Sequence, residues 1–142
     1  MRSAVIFDVD GTVTNSNHRQ YVLKETPIDW KRYFYLGAED APKLTIIRVL
    51  EMYNHMGYAV IMLTGRPELY RYQTEVWLKQ YEVPFDVLFM RGNDDHRKNH
   101  EFKQECYQKM IRHRFNVVAA YDDSDYVCQM WRQEGVQCLQ VY

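Results

Sequence analysis

The fold of this chain is decided by one stretch near its beginning, Ala4-Val5-Ile6-Phe7-Asp8-Val9-Asp10-Gly11-Thr12-Val13. Four apolar residues run without a break into two carboxylates. A short apolar run of this kind is typical of a strand that is buried on both faces of a parallel sheet. Gly11 then allows the chain to turn away. Because side chains alternate along a strand, Asp8 and Asp10 are expected on one face, at the carboxyl edge where open α/β sheets bind ligands.

The two carboxylates of this stretch indicate chemistry as well as topology. An Asp-x-Asp pair beside a strand is most often an ion-pair or capping site, but the apolar lead-in and the Gly-Thr exit favour a functional site here. Close carboxylates repel each other unless a cation joins them. Oxygen ligands suit a hard cation such as Mg²⁺ better than they suit metals that prefer thiolate or imidazole. We therefore expect a Mg²⁺ site at the end of the first strand.

Further along the chain, predicted strands alternate with predicted helices. The strands are expected at 58–63, 85–90, 115–121 and 137–142, and the helices at 42–56, after Pro67, after Asn99 and at 124–134. Pro67 is expected to open its helix. The inward face of that helix is predicted to carry Leu69, Tyr72 and Val76. The alternation predicts an α/β, Rossmann-like fold with a parallel sheet.

Residues 20–41 are expected to form a small cap-like insertion after the first strand. The segment is rich in aromatic residues and only weakly periodic, which favours one or two short helices over the exit of that strand. Tyr33, Phe34 and Tyr35 could stack a terminal base, although packing is the commoner role of such aromatics. The later segments between strands have room for one helix each, so no large cap domain is expected.

The composition is that of an ordinary soluble globular protein, and we expect residues 1–142 to form one domain. The formal net charge of −1 argues against binding to nucleic acid through bulk positive charge. No apolar run approaches the roughly 20 residues of a membrane span, and no signal peptide is expected. Three cysteines without metal-site spacing predict reduced thiols in a cytoplasmic protein: Cys106, Cys128 and Cys138.

Polar residues follow four of the predicted strands. Because the carboxyl ends of parallel strands meet at one edge of a sheet, these residues are expected to converge on one site. In strand order they are Asp8 and Asp10, then Thr64-Gly65-Arg66, then Arg91 with Lys103 at the following helix, and finally Asp122-Asp123.

Residues 8–13 resemble the first motif of the haloacid dehalogenase (HAD) superfamily of aspartate-nucleophile phosphatases. The later clusters agree in order with that superfamily, which continues with a strand-ending Thr or Ser, a Lys, and acidic residues after a strand. The resemblance implies a five-stranded parallel sheet in the order 5-4-1-2-3, flanked by helices. It also implies hydrolysis of a phosphate ester through an aspartyl-phosphate intermediate, with Mg²⁺ as cofactor.

A closer similarity is to the 3′-phosphatase domain of phage-type polynucleotide kinase–phosphatases. It rests on residues 7–12, Arg19, Gly65-Arg66, Lys103 and the segment Met130-Trp131-Arg132. The similarity implies removal of a 3′-terminal phosphate from DNA or RNA ends during repair. It also implies a kinase or ligase domain or protein as a partner in the same pathway. The kinase phosphate loop, G-x-x-x-x-G-K-[ST], is absent from this chain.

The chemistry and the resemblance together assign a role to each candidate residue. Asp8 is the expected nucleophile. Asp10 is expected to protonate the leaving oxygen and later to activate water. Mg²⁺ is expected on the Asp8 carboxylate, the Asp10 backbone carbonyl, Asp122 and Asp123. The expected phosphate-binding residues are Thr12, Arg19, Thr64 with its N–H at a helix start, Gly65, Arg66 and Lys103.

Two other functions are compatible with the same residues. One is a small-molecule or nucleotide phosphatase of the HAD superfamily. The other is a non-catalytic module that binds nucleic-acid ends on the same fold, which the presence of both Asp8 and Asp10 disfavours. The chain also departs from the compared family member at Asn99, where that member has an acid.

Overall fold

A five-stranded parallel sheet forms the centre of the computed structural model, which describes residues 1–142. The strands of the whole chain are β1 (Arg2–Phe7), β2 (Thr14–Asn15), β3 (Ala41–Pro42), β4 (Ala59–Pro67), β5 (Val87–Arg91), β6 (Phe115–Asp122) and β7 (Cys138–Gln140). Strands β2 and β3 pair with each other, and the other five form the sheet in the order β5-β4-β1-β6-β7. Read from the opposite edge, and counting sheet strands only, this is the predicted order 5-4-1-2-3, which is confirmed.

The five helices are α1 (Trp30–Tyr35), α2 (Leu44–His55), α3 (Arg71–Gln80), α4 (Asn99–Cys106) and α5 (Asp125–Gln133). Helix α1 lies in the segment between β2 and β3, and the other four flank the sheet. Short 3-10 turns occur at Asn17–Lys24, Leu36–Glu39 and Glu68–Tyr70, and a π turn at Tyr107–Ile111 continues α4. The segments between sheet strands after β4 each carry a single helix, as expected. No helix combines the length and the apolar character that crossing a membrane requires.

Strand β1 is buried on both faces, as its uninterrupted apolar sequence predicts. It pairs in parallel with β4 on one side and with β6 on the other. One face, which includes Val5 and Phe7, packs against α2 and α3, and the other, which includes Ala4 and Ile6, packs against α4 and α5. Because β1 is held on four sides, the backbone that follows Phe7 has a fixed position in the molecule.

The inward face of α3 differs from the prediction. Pro67 does not open a helix; it is the last residue of β4 and pairs with Arg91 of β5. The helix starts only at Arg71, so its phase is shifted. The predicted residues are consequently exposed, and the buried ones are instead Thr74, Trp77 and Leu78.

The start of α2 also lies later than predicted. Pro42 belongs to β3, where it pairs with Thr14, and the helix begins at Leu44. Leu44 is therefore largely exposed, whereas Ile47 and Leu50 are buried as expected. The short β2–β3 pair anchors both ends of residues 16–40, the segment that contains the predicted insertion.

Candidate active site

The turn that follows β1 sets the position of Asp8. Its N–H donates to the carbonyl of Tyr121 on β6 at 3.0 Å, which extends the strand pairing by one residue. Gly11 then adopts a φ of +81°, and a Cβ at this position would collide with the carboxylate of Asp123. The glycine is therefore required both for the turn and for the close approach of Asp123. Lys43 Nζ donates to the Gly11 carbonyl at 2.7 Å and secures the turn from outside.

Three carboxylates meet beside this turn. Asp8, Asp122 and Asp123, which we call the acidic cluster, have carboxylate oxygens that all lie within 4.8 Å of one another. Lys103 reaches them from α4, where its Nζ donates to Asp8 at 2.8 Å and to Asp122 at 2.7 Å. The hydroxyl of Thr12 donates to the other oxygen of Asp8 at 3.1 Å. Residues that are distant in sequence are thus brought together by β1, β6 and α4.

The electrostatics of the acidic cluster reflect an excess of negative charge. Burial and the Asp122 carboxylate raise the pKa of Asp8 well above its usual value, although Lys103 acts in the opposite direction. Burial and Asp122 also raise the pKa of Asp123. Burial alone would lower the pKa of Lys103, but Asp122 and Asp8 hold it above its usual value. The ammonium therefore stays charged, and one cation faces three acids.

The donor atoms of the acidic cluster fit a hard divalent cation. All three side chains offer carboxylate oxygens, which Mg²⁺ prefers over nitrogen and sulfur. Asp8 and Asp122 are buried, whereas Asp123 is exposed and opens the group to solvent. Asp122 is oriented by the N–H of Ser124, which donates to its Oδ1 at 3.0 Å. The three carboxylates carry more negative charge than Lys103 can offset, so the acidic cluster can accept a divalent cation.

A second set of charged side chains surrounds Asp10 on the other side of the turn. Arg19, Arg66, Asp10 and Asp40 form what we call the arginine network. Arg66 donates to the Asp10 carboxylate through Nε at 3.1 Å and Nη2 at 2.8 Å, and Arg19 Nη2 donates to the same carboxylate. Arg19 also donates to both oxygens of Asp40, at 2.9 and 2.6 Å.

The two guanidinium groups are buried and fully engaged with the protein. Arg66 also donates to the hydroxyl of Thr74, and Arg19 to the carbonyl of Tyr33. Burial alone would raise the pKa of Asp10, but Arg66 and then Arg19 hold it well below its usual value. In this arrangement both arginines position Asp10. Their predicted contact with a phosphate group stays a prediction.

Comparison with known proteins gives the family. The chain matches the family described as the polynucleotide kinase PNKP phosphatase domain over residues 2–142. The chain belongs to this family. The prediction of a HAD phosphatase of the polynucleotide kinase–phosphatase type is thereby confirmed.

Individual relatives show how much of a larger protein the chain resembles. A protein of Autographa californica nuclear polyhedrosis virus, described as a bifunctional polynucleotide kinase/RNA ligase, is 29% identical over 134 residues, which are 91% of this chain and 18% of that protein. A chain in the solved Pnkp1/Rnl/Hen1 RNA repair complex is 33% identical with a TM-score of 0.87, and 99% of this chain covers 42% of it. A second structure of that complex gives 34% identity, a TM-score of 0.85 and coverage of 99% and 46%. The chain therefore spans less than half of these relatives.

The phosphatase-family residues at the end of β4 have a different local setting from the predicted one. Thr64 lies inside β4 and not at a helix start, because the strand continues to Pro67. Its hydroxyl accepts the N–H of Arg66 at 3.1 Å. The carbonyl of Gly65 accepts Arg91 Nε at 2.9 Å. Thr64 and Gly65 thus lie beside the arginine network, where strand geometry rather than a helix terminus fixes them.

Two buried polar residues complete the picture: Asp40, which the sequence did not single out, and Arg91, which it placed among the converging residues. Asp40 is completely buried and binds Arg19, yet its position among polar residues at the end of the insertion resembles an exposed loop. Arg91 is also buried and donates to Asn99 and to the carbonyl of Arg97. It holds the loop before α4 in place. The only sequence signal for Asp40 is its place between an aromatic helix and a proline.

Proposed function

We propose that this chain is a Mg²⁺-dependent polynucleotide 3′-phosphatase that acts through an aspartyl-phosphate on Asp8. One observation carries the proposal: in a member of the PNKP phosphatase family, Asp8, Lys103, Asp122 and Asp123 converge at the end of the central strand. Membership of the family supports the substrate class, and the convergence supports the chemistry.

Asp8 has the properties that the first step requires. One carboxylate oxygen attacks phosphorus, an aspartyl-phosphate bond forms, and the bond to the 3′ oxygen of the leaving strand breaks. The 3′ oxygen takes a proton, for which Asp10 is the candidate donor. Lys103 and Thr12 hold the two oxygens of Asp8 separately, so the nucleophile has one orientation before substrate arrives.

Asp10 is best suited to the second step in the free protein. Arg66 and Arg19 stabilise its ionised form, which can accept a proton from the water that hydrolyses the aspartyl-phosphate. The acid role in the first step needs the protonated form. We assign this change to the arriving phosphate, whose negative charge opposes the effect of the two arginines on Asp10.

The remaining candidate residues are proposed to bind either the metal ion or the phosphate group. The carboxylates of Asp8, Asp122 and Asp123 and the backbone carbonyl of Asp10 would hold Mg²⁺. When bound, Mg²⁺ offsets the repulsion between an anionic nucleophile and an anionic phosphate. Lys103, Thr12, Thr64 and Gly65 are proposed to contact the phosphate, and Arg19 and Arg66 to position Asp10.

The small size of the insertion supports a polymeric substrate. Within residues 1–142, the segment over the exit of β1 comprises only residues 16–40. We propose that residues 1–142 are one phosphatase domain, with 20–41 as its small cap. A kinase or ligase partner and a cytoplasmic location remain proposals, the first from the viral relative and the repair complex, the second from the free cysteines.

The test is phosphate release from a 3′-phosphorylated oligonucleotide with Mg²⁺, beside nucleoside 3′-monophosphates and p-nitrophenyl phosphate. The proposal expects the highest kcat/KM on the oligonucleotide. An equal or higher value on mononucleotides would favour a nucleotide phosphatase. Binding of the oligonucleotide without turnover would favour an end-binding module.

A further inference from the structure

Four aromatic side chains extend from the arginine network toward the surface. We call Trp30, Tyr33, Phe34 and Tyr70 the aromatic platform. The guanidinium carbon of Arg19 lies 4.5 Å from the ring centre of Tyr33. The Trp30 ring is 6.0 Å from Tyr33 and packs at 22° to Phe34, also at 6.0 Å, and Phe34 is 5.1 Å from Tyr70. The rings thus form one continuous set that runs from Tyr33, which is buried against Arg19, to the exposed ring of Trp30.

The outer end of the aromatic platform is open to solvent and carries cationic side chains, of which Arg32 pairs with Glu25 at 3.3 Å. Trp30 is 52% exposed, whereas the two other tryptophans, Trp77 and Trp131, are buried. Exposed Lys31 and Arg32 follow Trp30 in α1, and Arg32 lies over the ring of Tyr21 at 5.2 Å. Aromatic faces combined with cations are the features that bind single-stranded nucleic acid without regard to sequence.

The proposed reaction places the substrate strand on this side of the site. The leaving 3′ oxygen must lie opposite the attacking oxygen of Asp8 and within reach of Asp10. Arg19 connects Asp10 directly to Tyr33, so the inner end of the aromatic platform lies next to the group assigned to the leaving 3′ oxygen. Lys103 and the acidic cluster occupy the other side of Asp8.

We propose that the exposed end of the aromatic platform stacks a base 5′ of the terminal phosphate, with Trp30 as the outermost contact and the buried Tyr33 as its support. The proposal rests on the 3′-phosphatase function and names how that site selects polymers over mononucleotides. At a rise of roughly 3.4 Å per nucleotide, the steps from Arg19 through Tyr33 to Trp30 correspond to two or three nucleotides. The expected ligand is a single-stranded 3′ end, because stacking on Trp30 needs unpaired bases.

A second exposed aromatic pair provides a comparison. Tyr126 on α5 is exposed and stacks on His100 of α4 at 5.8 Å. Helix α4 carries Lys103, and α5 begins shortly after Asp122. The Tyr126–His100 pair therefore lies on the side of the acidic cluster. Tyr126→Ala is therefore the control for losing an exposed aromatic ring near the site. Tyr35→Ala is the control within α1, because Tyr35 is exposed and outside the stacked set.

The first experiment measures binding by tryptophan fluorescence. Because Trp77 and Trp131 are buried, stacking of a base should quench Trp30 alone. An Asp8→Asn protein with Mg²⁺, titrated with a 3′-phosphorylated trinucleotide, should show quenching that inorganic phosphate does not produce. Adding Trp30→Phe should remove the quenching while the trinucleotide still competes for the site. Quenching that persists in Trp30→Phe would overturn the proposal.

The second experiment measures kcat/KM against substrate length, from a nucleoside 3′-monophosphate to an octanucleotide. The wild-type value should rise up to about three nucleotides and then level off. Trp30→Ala should remove at least about fivefold of that rise, as expected for the loss of one stacked base, and should leave the mononucleotide value unchanged. Trp30→Phe should restore most of the loss, and Tyr35→Ala and Tyr126→Ala should behave as wild type.

The two failures are distinguishable. If wild type releases phosphate from no oligonucleotide of any length, the 3′-phosphatase function is wrong. If wild type prefers longer substrates and Trp30→Ala keeps the whole preference, the function stands and the aromatic platform is wrong. Equal losses in Trp30→Ala and Tyr126→Ala would likewise contradict a platform on the Asp10 side.

Discussion

The acidic cluster and the arginine network lie on opposite sides of the same turn and differ in how their carboxylate charges are balanced. In the network, two carboxylates face two guanidinium groups at hydrogen-bonding distance, so charge is balanced by folding alone. In the cluster, three carboxylates share one ammonium. The network is complete without a ligand, whereas the cluster needs a further cation. This difference separates the part of the site that positions groups from the part that reacts.

The pKa directions express the same contrast. Burial affects Asp8 and Asp10 alike, yet the pKa of Asp8 is raised and that of Asp10 is lowered. The deciding factor is the balance of the surrounding charges: beside Asp8 the effect of Asp122 exceeds that of Lys103, whereas Arg66 and Arg19 outweigh burial beside Asp10. Each prediction below either reduces the excess negative charge of the acidic cluster or disturbs the charge balance of the arginine network.

The largest expected effect is on turnover. Asp8→Asn should lower phosphate release from a 3′-phosphorylated oligonucleotide by at least about 10³-fold, because an amide cannot act as the nucleophile. The folded state should survive, since the substitution removes a repelled carboxylate. Activity and thermal unfolding in EDTA check the two parts. Turnover near the wild-type rate would remove Asp8 from the mechanism.

The next largest effect is on the free energy of unfolding and comes from the arginine network. Asp40→Asn should lower the free energy of unfolding by about 3–5 kcal/mol, because it leaves Arg19 buried with a weaker partner. Urea denaturation measures the loss. The adjacent exposed acid provides the control: Glu39→Gln should change stability by less than about 0.5 kcal/mol. Equal effects of the two substitutions would show that burial of Asp40 does not matter.

Magnesium should stabilise the folded protein by binding to the acidic cluster. At a Mg²⁺ concentration about 100-fold above its Kd, binding adds about 2.7 kcal/mol to the folded state, which raises Tm by several degrees. Asp123→Asn should lose most of the rise, whereas Glu39→Gln should keep it. Thermal scans with Mg²⁺ and with EDTA measure the difference. A rise of the same size in Asp123→Asn would place the ion elsewhere.

The smallest effect is the pH dependence of the metal-free protein. Because the folded pKa of Asp123 lies above its usual value near 3.8, the folded state binds the proton more tightly than the unfolded state. The contribution of this group therefore becomes more favourable as the pH falls through that raised pKa toward its usual value. In EDTA, wild type should gain stability relative to Asp123→Asn over this interval. A loss of wild-type stability relative to Asp123→Asn as the pH falls over this interval would contradict the assigned sign.

Local sequence patterns were enough to predict the sheet and the acidic residues at its edge. The apolar run before Asp8 identifies the central strand, and the polar residues after the other strands identify the shared edge. Lys103 was expected at the site from its place after the third predicted strand, but its direct contact with Asp8 from the middle of α4 is not contained in the local pattern. The positions of these groups follow from the parallel topology.

The rest of the site depends on contacts that local patterns do not encode. Asp40 is identified only by its pairing with Arg19, 21 residues away. The phase of α3 depends on the extension of β4, which in turn depends on Pro67 pairing with β5. The burial of Thr74 and Trp77 follows from that phase. Such features are set by tertiary pairing, and a single helix or strand pattern does not contain them.

The central claim is that phosphorus is transferred to Asp8 at the end of β1. Borohydride converts an aspartyl-phosphate to homoserine, so a reaction with 3′-phosphorylated oligonucleotide and Mg²⁺ can be stopped with borohydride and the peptides examined by mass spectrometry. We expect homoserine at position 8, dependent on both substrate and Mg²⁺ and absent from Asp8→Asn. Continued turnover with an unmodified Asp8, or modification at another carboxylate, would contradict it.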